Sequence, residues 1–177
     1  MVESFYGETL NSATTGQLCS YAQDNEQWQT IKQDYRGSVY QSVMGHRLPN
    51  GHPIEGHIVK IFLTFNKLYF NYDLVGTFEV QFLKYNVHDG YDWHCDYGLS
   101  ENPKAVRKLS MIIQLSDMWD YNGANVFLRD WSNQEHMLSK ESGHVTIFDS
   151  RVPHRVSPLT IGERYSLVAW AHGPEWR

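Results

Sequence analysis

The stretch TFEVQFLKYNVHDGYDWHCDYG, residues 77–98, decides the fold. Its first half is rich in aromatic and β-branched residues, and the turn signal His88-Asp89-Gly90 closes it. Its second half, YDWHCDY, reads as another short strand. Downstream the pattern recurs in KLSMIIQLS (108–116), ANVFLRD (124–130), HVTIFDS (144–150) and RYSLVAWAH (164–172). Turn signals at Glu101-Asn102-Pro103, Tyr121-Asn122-Gly123, Glu141-Ser142-Gly143 and Ile161-Gly162 separate these runs. No long helical pattern intervenes. Short strands at this spacing predict a sandwich or barrel.

Upstream the character differs. A helix is expected from about Thr14 to Asn25, capped by Ser12 or Thr14. A second fits Glu55 to Phe70, where Ile58, Ile61 or Phe62, Phe65, and Leu68 or Tyr69 recur at helical spacing. The polar, glycine-containing stretch from Gln33 to Gly56 is long for a plain connection and predicts a lid or binding loop. The fold expected is mainly β (α+β), a β-sandwich core with N-terminal helices packed on one side. A chain of 177 residues fits a single domain, with residues 1–70 as its helical and lid part and 76–177 as its core.

Composition narrows the function. Apolar residues make up 41% of the chain, so a packed core is expected. A formal charge of −5 argues against a nucleic-acid partner, whose phosphates call for basic groups. Cys19 and Cys95 lack zinc-ribbon spacing and leave a reducing compartment as the simpler reading. No signal-peptide pattern and no membrane-length apolar run are visible, so a soluble, cytoplasmic protein without a membrane partner is expected.

The chemistry starts at His94-Cys95-Asp96. On a strand, positions 94 and 96 share a face, so an imidazole and a carboxylate can meet one metal. Completed by a distant histidine, they form the facial triad of non-haem iron(II) oxygenases. Nine histidines and ten aspartates in this chain give about 0.5 His-x-Asp matches by chance, so the motif alone decides nothing. The C-terminal segment adds what is needed. His154 follows Asp96 by 58 residues, and Arg164 lies ten residues further, at the start of the last strand. By alternation Arg164, Ser166, Val168 and Trp170 share a face. A guanidinium beside a hydroxyl suits a carboxylate, because it donates two parallel hydrogen bonds.

From about Phe70 to Arg177 the chain resembles the 2-oxoglutarate- and iron-dependent prolyl and lysyl hydroxylases, most of all small bacterial and phage-type members. QFLKYNVHDGYDWHCDYG, KLSMIIQLSD and FDSRVPHRVSPLTIGERYSLVAWAHGPEWR carry the resemblance, in family order. It implies a double-stranded β-helix, or jelly roll, with the site in its mouth. It implies iron(II) held by His94, Asp96 and His154, and 2-oxoglutarate paired through its distal carboxylate with Arg164. Ser166, Tyr85 and Gln114 occupy cosubstrate-binding positions, and Ile112, Val156 and Trp170 look like walls of the same pocket. The implied reaction is hydroxylation of an unactivated C–H bond with dioxygen, releasing succinate and carbon dioxide, with ascorbate as an accessory reductant. The substrate read first is a prolyl residue in a protein or peptide, then peptidyl lysine or a free amino acid. A metal-binding jelly roll that only recognises a ligand is the rival of another class. One departure is visible: Gly123-Ala124-Asn125-Val126 stands where relatives carry Gly-Gly-Glu-Leu.

The remaining residues have plainer readings. Cys95 points away from Asp96 by alternation and reads as a packing residue. His46, His52 and His57 read as loop histidines. Tyr91 and Trp93 flank the motif as core or substrate contacts, while Arg129 and Arg155 are surface arginines or face an anionic or peptide substrate. His88, His136, His144 and His172 have no partner that the sequence names.

Overall fold

A computed structural model describes residues 5–24, 28–32, 42–49, 51–98 and 105–176. In chain order the first elements are β1 (Phe5–Thr9), α1 (Ser12–Gln23), β2 (Gln29–Lys32), β3 (Ser42–Arg47) and α2 (Pro53–Phe65), which runs into a π-helical turn (Asn66–Phe70). Then follow β4 (Phe78–Tyr85), β5 (Tyr91–His94), β6 (Val106–Gln114), β7 (Tyr121–Gly123), β8 (Val126–Arg129) and β9 (Glu135–Met137). The last four are β10 (His144–Asp149), β11 (His154–Val156), β12 (Leu159–Gly162) and β13 (Arg164–Gly173).

The strands build an antiparallel seven-stranded sheet in the order β1-β10-β6-β13-β4-β3-β2 and a four-stranded sheet β5-β11-β8-β9, with a β12-β7 ribbon. This is the jelly roll, and strand alternation tells each side chain which layer to join. On β13, Leu167, Ala169 and Ala171 enter the core under the helices, whereas Arg164, Ser166, Val168 and Trp170 line a cavity between the sheets. On β6, Leu109 and Ile113 join that core while Ile112 faces the cavity. The helices cover the outer face of the larger sheet. Ile58, Phe62 and Phe65 of α2 recur at i, i+4, i+7 and are buried with Leu18 and Ala22 of α1. A second apolar cluster, including Val43, Leu83, Val126, Leu128 and Phe148, fills the interior around the cavity.

Several sequence expectations shift. The cap of α1 is Asn11, whose side chain accepts from Thr14 N at 2.9 Å, not Ser12 or Thr14. The second helix starts at Pro53, two residues before Glu55, and changes to the π-helical turn at Asn66; the helical run ends at Phe70 as expected, where Asn71 turns left-handed and the Asn66 amide brackets Tyr72 N and O, both at 2.9 Å. The stretch Gln33–Gly56 is not one long loop. Residues 42–47 form β3, which pairs with β2 and β4, and α2 begins before Gly56; residues 33–41 and Asn50 lie outside the described residues. The N-terminal part is therefore more than helical: β1 and the β2-β3 hairpin supply both edges of the larger sheet. Their sequences carry too little alternation to be read as strands, and pairing with β10 and β4 makes them strands.

Candidate active site

β5 and β11 pair antiparallel with His94 opposite His154, so two distant parts of the chain bring two imidazoles together. Their ring centroids are 4.1 Å apart. The strand ladder ends at His94, so alternation does not place Asp96. The backbone N–H groups of Asp96 and Tyr97 both donate to Ser150 O at 2.9 Å, and this turns the carboxylate inward. Asp96 Oδ1 lies 3.8 Å from His94 Nε2 and Oδ2 lies 3.5 Å from His154 Nε2. One ligand atom from each residue falls within 4.8 Å of the others, the only such His/Cys/Asp/Glu group among the described residues. Each imidazole is oriented from behind: His94 Nδ1 contacts Asp92 O at 2.7 Å and His154 Nδ1 contacts Val152 O at 3.1 Å. With Nδ1–H donating to those carbonyls, each Nε2 lone pair is free for a metal. Burial, reinforced by His154 beside it, lowers the His94 pKa to about 4, which favours the neutral, ligating form. Burial pushes the Asp96 carboxyl upward, but His154, His94 and hydrogen bonds from Ser110 and Trp170 outweigh it and keep the carboxyl low.

The cavity has a volume of about 310 Å³ and runs from this triad to Arg164. Arg164 is 1% exposed. Its Nε and Nη2 donate to Gln114 Oε1 at 3.1 and 2.7 Å, and its guanidinium lies 4.9 Å from the centre of the Tyr85 ring. No carboxylate among the described residues pairs with it, and its Nη1 is buried without a partner. The Ser166 Oγ and Tyr121 OH are buried without partners as well, and Tyr121 lies beside the same guanidinium. Buried donors left unmade are costly, and a buried unpaired cation more so. Three orphaned donors with an excess positive charge fit the terminal carboxylate of a dicarboxylic acid. The His–Asp–His donor set fits a divalent metal that keeps open positions for a chelating keto acid.

Residues 80–172 match the model of the 2OG-Fe(II) oxygenase superfamily. The chain belongs to that superfamily. A PKHD-type hydroxylase of Psychrobacter sp. (strain PRwf-1) is 29% identical over 93 residues, which cover 50% of this chain and 36% of the relative. The chain thus spans about a third of the length of the first curated relatives it matches, 36% in each case. Among solved structures, a Pseudomonas putida prolyl-4-hydroxylase superposes with a TM-score of 0.76 at 20% identity, covering 96% of this chain and 93% of that one. A prolyl hydroxylase from Trichoplax adhaerens, solved with a hypoxia inducible factor oxygen degradation domain peptide fragment, gives 0.73 at 18% identity, with 95% and 83% covered. At these identities the two structures attest the fold. No helix among the described residues is long and apolar enough to cross a membrane.

In this member of the superfamily, the sequence-predicted residues His94, Asp96, His154, Arg164, Ser166, Tyr85, Ile112, Val156 and Trp170 all line the same cavity. Gln114 meets it by holding Arg164. Trp170 is more than an apolar wall: it helps keep the Asp96 carboxyl low, and the Arg107 guanidinium lies 3.9 Å from the centre of its ring. Tyr91 lines the cavity edge-on to His94 at 4.4 Å. Trp93 does not; it lies against Arg129 and Arg155, at 4.2 and 5.1 Å, away from the lining. Cys95 is exposed rather than packed, because the chain leaves the ladder after His94. His52 caps α2, and His172 lies 3.0 Å from Glu79. Sequence reasoning missed Tyr121, Ser110, Ser150 and the Arg107–Glu79–Arg47 group at the cavity mouth. None of them carries a local signal except Tyr121, next to the glycine turn. Gly123 (φ 80°) is required there, since a Cβ would collide with Pro158 O, and Ala124 follows at φ 44°.

Proposed function

We propose that this chain is an iron(II)- and 2-oxoglutarate-dependent dioxygenase that hydroxylates a prolyl residue in a protein or peptide. The observation that carries this reading is the buried Arg164, with an unpartnered Nη1, in the same cavity as the His94–Asp96–His154 cluster. A module that merely bound metal would have no use for an unpaired guanidinium buried near it. His94, Asp96 and His154 would hold the iron, and Arg164 with Ser166 and Tyr121 would hold the distal carboxylate. Bound iron and keto acid supply the oxidation, which places one oxygen atom of dioxygen in a C–H bond and the other in succinate, with loss of carbon dioxide.

The protein's part is placement. Gln114 fixes the guanidinium so that its remaining donors face the keto acid. Ile112, Val126, Val156 and Val168 keep the cavity apolar and exclude water. Tyr91 packs on His94 and narrows the approach to the metal. At the mouth, Arg107 lies over Trp170, and Ile31 and Val43 of the β2-β3 hairpin complete the lining. The solved prolyl hydroxylases with this fold, one carrying a peptide, support a peptidyl substrate.

The test is succinate release from 2-oxoglutarate with iron(II), across proline- and lysine-containing peptides and the free amino acids. Stimulation by a proline peptide, with hydroxyproline in the product, is the expected result. Hydroxylation of free amino acids with peptides inert would overturn the substrate. No iron-dependent turnover or binding of 2-oxoglutarate at all would overturn the enzyme reading.

A further inference from the structure

Behind Asp96 lies a pair of hydroxyls that the triad does not include. Ser110 on β6 is 1% exposed, and Ser150, just after β10, is 0% exposed. Ser110 Oγ lies 2.7 Å from Asp96 Oδ2 and 2.9 Å from Ser150 Oγ. The proton directions follow from donor counting. An ionised carboxylate only accepts, so Ser110 O–H must donate to Asp96. A hydroxyl has one proton, so Ser110 Oγ must accept from Ser150 O–H. The relay therefore runs one way, from Ser150 through Ser110 to Asp96 Oδ2. Ser150 also holds the main chain: its carbonyl takes the Asp96 and Tyr97 N–H groups, and its own N–H donates to Lys108 O at 3.0 Å. One residue thus fixes both the backbone and, through Ser110, the carboxylate of Asp96.

We propose that Ser110 and Ser150 are positioning residues that tie down Asp96 Oδ2 and leave Oδ1, on the His94 side, as the single carboxylate oxygen for the metal. The inference rests on the reading of His94, Asp96 and His154 as metal ligands. Its consequence is coordination number. With His94, Asp96 and His154 as the three protein donors, a bound metal would keep open positions for the keto acid and dioxygen. A carboxylate bound through both oxygens would take one of those positions. A charge-assisted hydrogen bond to Oδ2 opposes that rotation, and its buried, one-directional supply from Ser150 keeps it in place.

The experiment is Co(II) titration of the full chain without cosubstrate, read by calorimetry and by visible absorption of the bound ion, with thermal unfolding as the folding control. Ser110→Ala should weaken Co(II) binding by about 10- to 100-fold, the range for loss of an outer partner to a ligand. It should also change the absorption spectrum, which follows coordination geometry. Ser110→Thr keeps the hydroxyl and should restore both affinity and spectrum. Ser150→Ala should lose less, and the double Ala variant should equal Ser110→Ala, because Ser150 acts on the carboxylate only through Ser110. Unchanged affinity and spectrum in folded Ser110→Ala, or losses that add in the double variant, overturn the relay. If Ser110→Ala does not fold, Ser150→Ala decides alone, and wild-type binding by it overturns the relay. A His154→Ala control separates the two readings: Co(II) binding that ignores His154 removes the metal site itself, and the relay with it.

Discussion

Gln114→Glu is the sharpest probe of the cosubstrate end, because it replaces one atom and should move affinity and stability in opposite directions. In the structure the Gln114 carbonyl oxygen accepts from Arg164 Nε and Nη2 at 3.1 and 2.7 Å, while Nη1 has no partner. The neutral amide orients the guanidinium without neutralising it. An introduced carboxyl has nearly the same shape and would sit on the same donors, but it would cancel the charge proposed to receive 2-oxoglutarate. The keto acid would then meet a neutral pair instead of a cation. Hydrogen bonds to charged groups contribute about 1.5–3 kcal/mol, so apparent affinity for 2-oxoglutarate should fall roughly 10- to 150-fold. Stability should rise without cosubstrate, since a buried unpaired guanidinium gains its counter-ion. The half-saturation of succinate release gives the first quantity, and urea unfolding gives the second. Direct binding can be followed through quenching of the six tryptophans. A folded Gln114→Glu variant with wild-type half-saturation would refute the assignment of Arg164 as the anchor of the distal carboxylate.

Other outcomes follow from the same geometry. Arg164→Lys keeps charge but loses the planar fork and its seat on Gln114, and 2-oxoglutarate half-saturation should rise roughly 10- to 150-fold. His154→Ala should abolish iron-dependent turnover while circular dichroism shows the fold retained. Glu79 is pushed up by burial, yet His172 and Arg107 outweigh this and hold it at about 2, below the usual 4.5. A depressed carboxyl stabilises above its unfolded pKa, so on the order of 2 kcal/mol, allowing for solvent screening, should be present above pH 4.5 and lost as pH falls toward 2. Urea titrations of wild type and Glu79→Gln across that window should converge at the acid end. Ala124→Gly should relieve the left-handed strain at φ 44° and stabilise by about 1 kcal/mol, or roughly 2–4 °C in Tm.

The sequence by itself determined the layers and the chemistry. Two-residue alternation on RYSLVAWAH separated Arg164, Ser166, Val168 and Trp170 from Leu167, Ala169 and Ala171, because a strand offers only two faces. Turn residues separated six strand-like runs downstream of residue 77, where the described residues form ten strands, the short β7, β9, β11 and β12 having gone unread, and donor types picked out His94, Asp96 and His154. Alternation misled at Cys95, which is exposed, and it paired Asp96 with His94 for the wrong reason: the ladder had already ended, and the Ser150 carbonyl, 54 residues away, set the turn inward. It also said nothing of β1, β2 and β3, whose extended form depends on partners in other parts of the chain. Only the tertiary structure decided which polar atoms were paired and which were left over. Gln114 became a holder of Arg164, Tyr121 came to lie beside the same guanidinium, and Ser110 and Ser150 lined up behind Asp96. Hydrogen bonds of this kind join residues 14 to 50 apart in sequence, and no local pattern encodes them, because their partners meet only when the sheet closes.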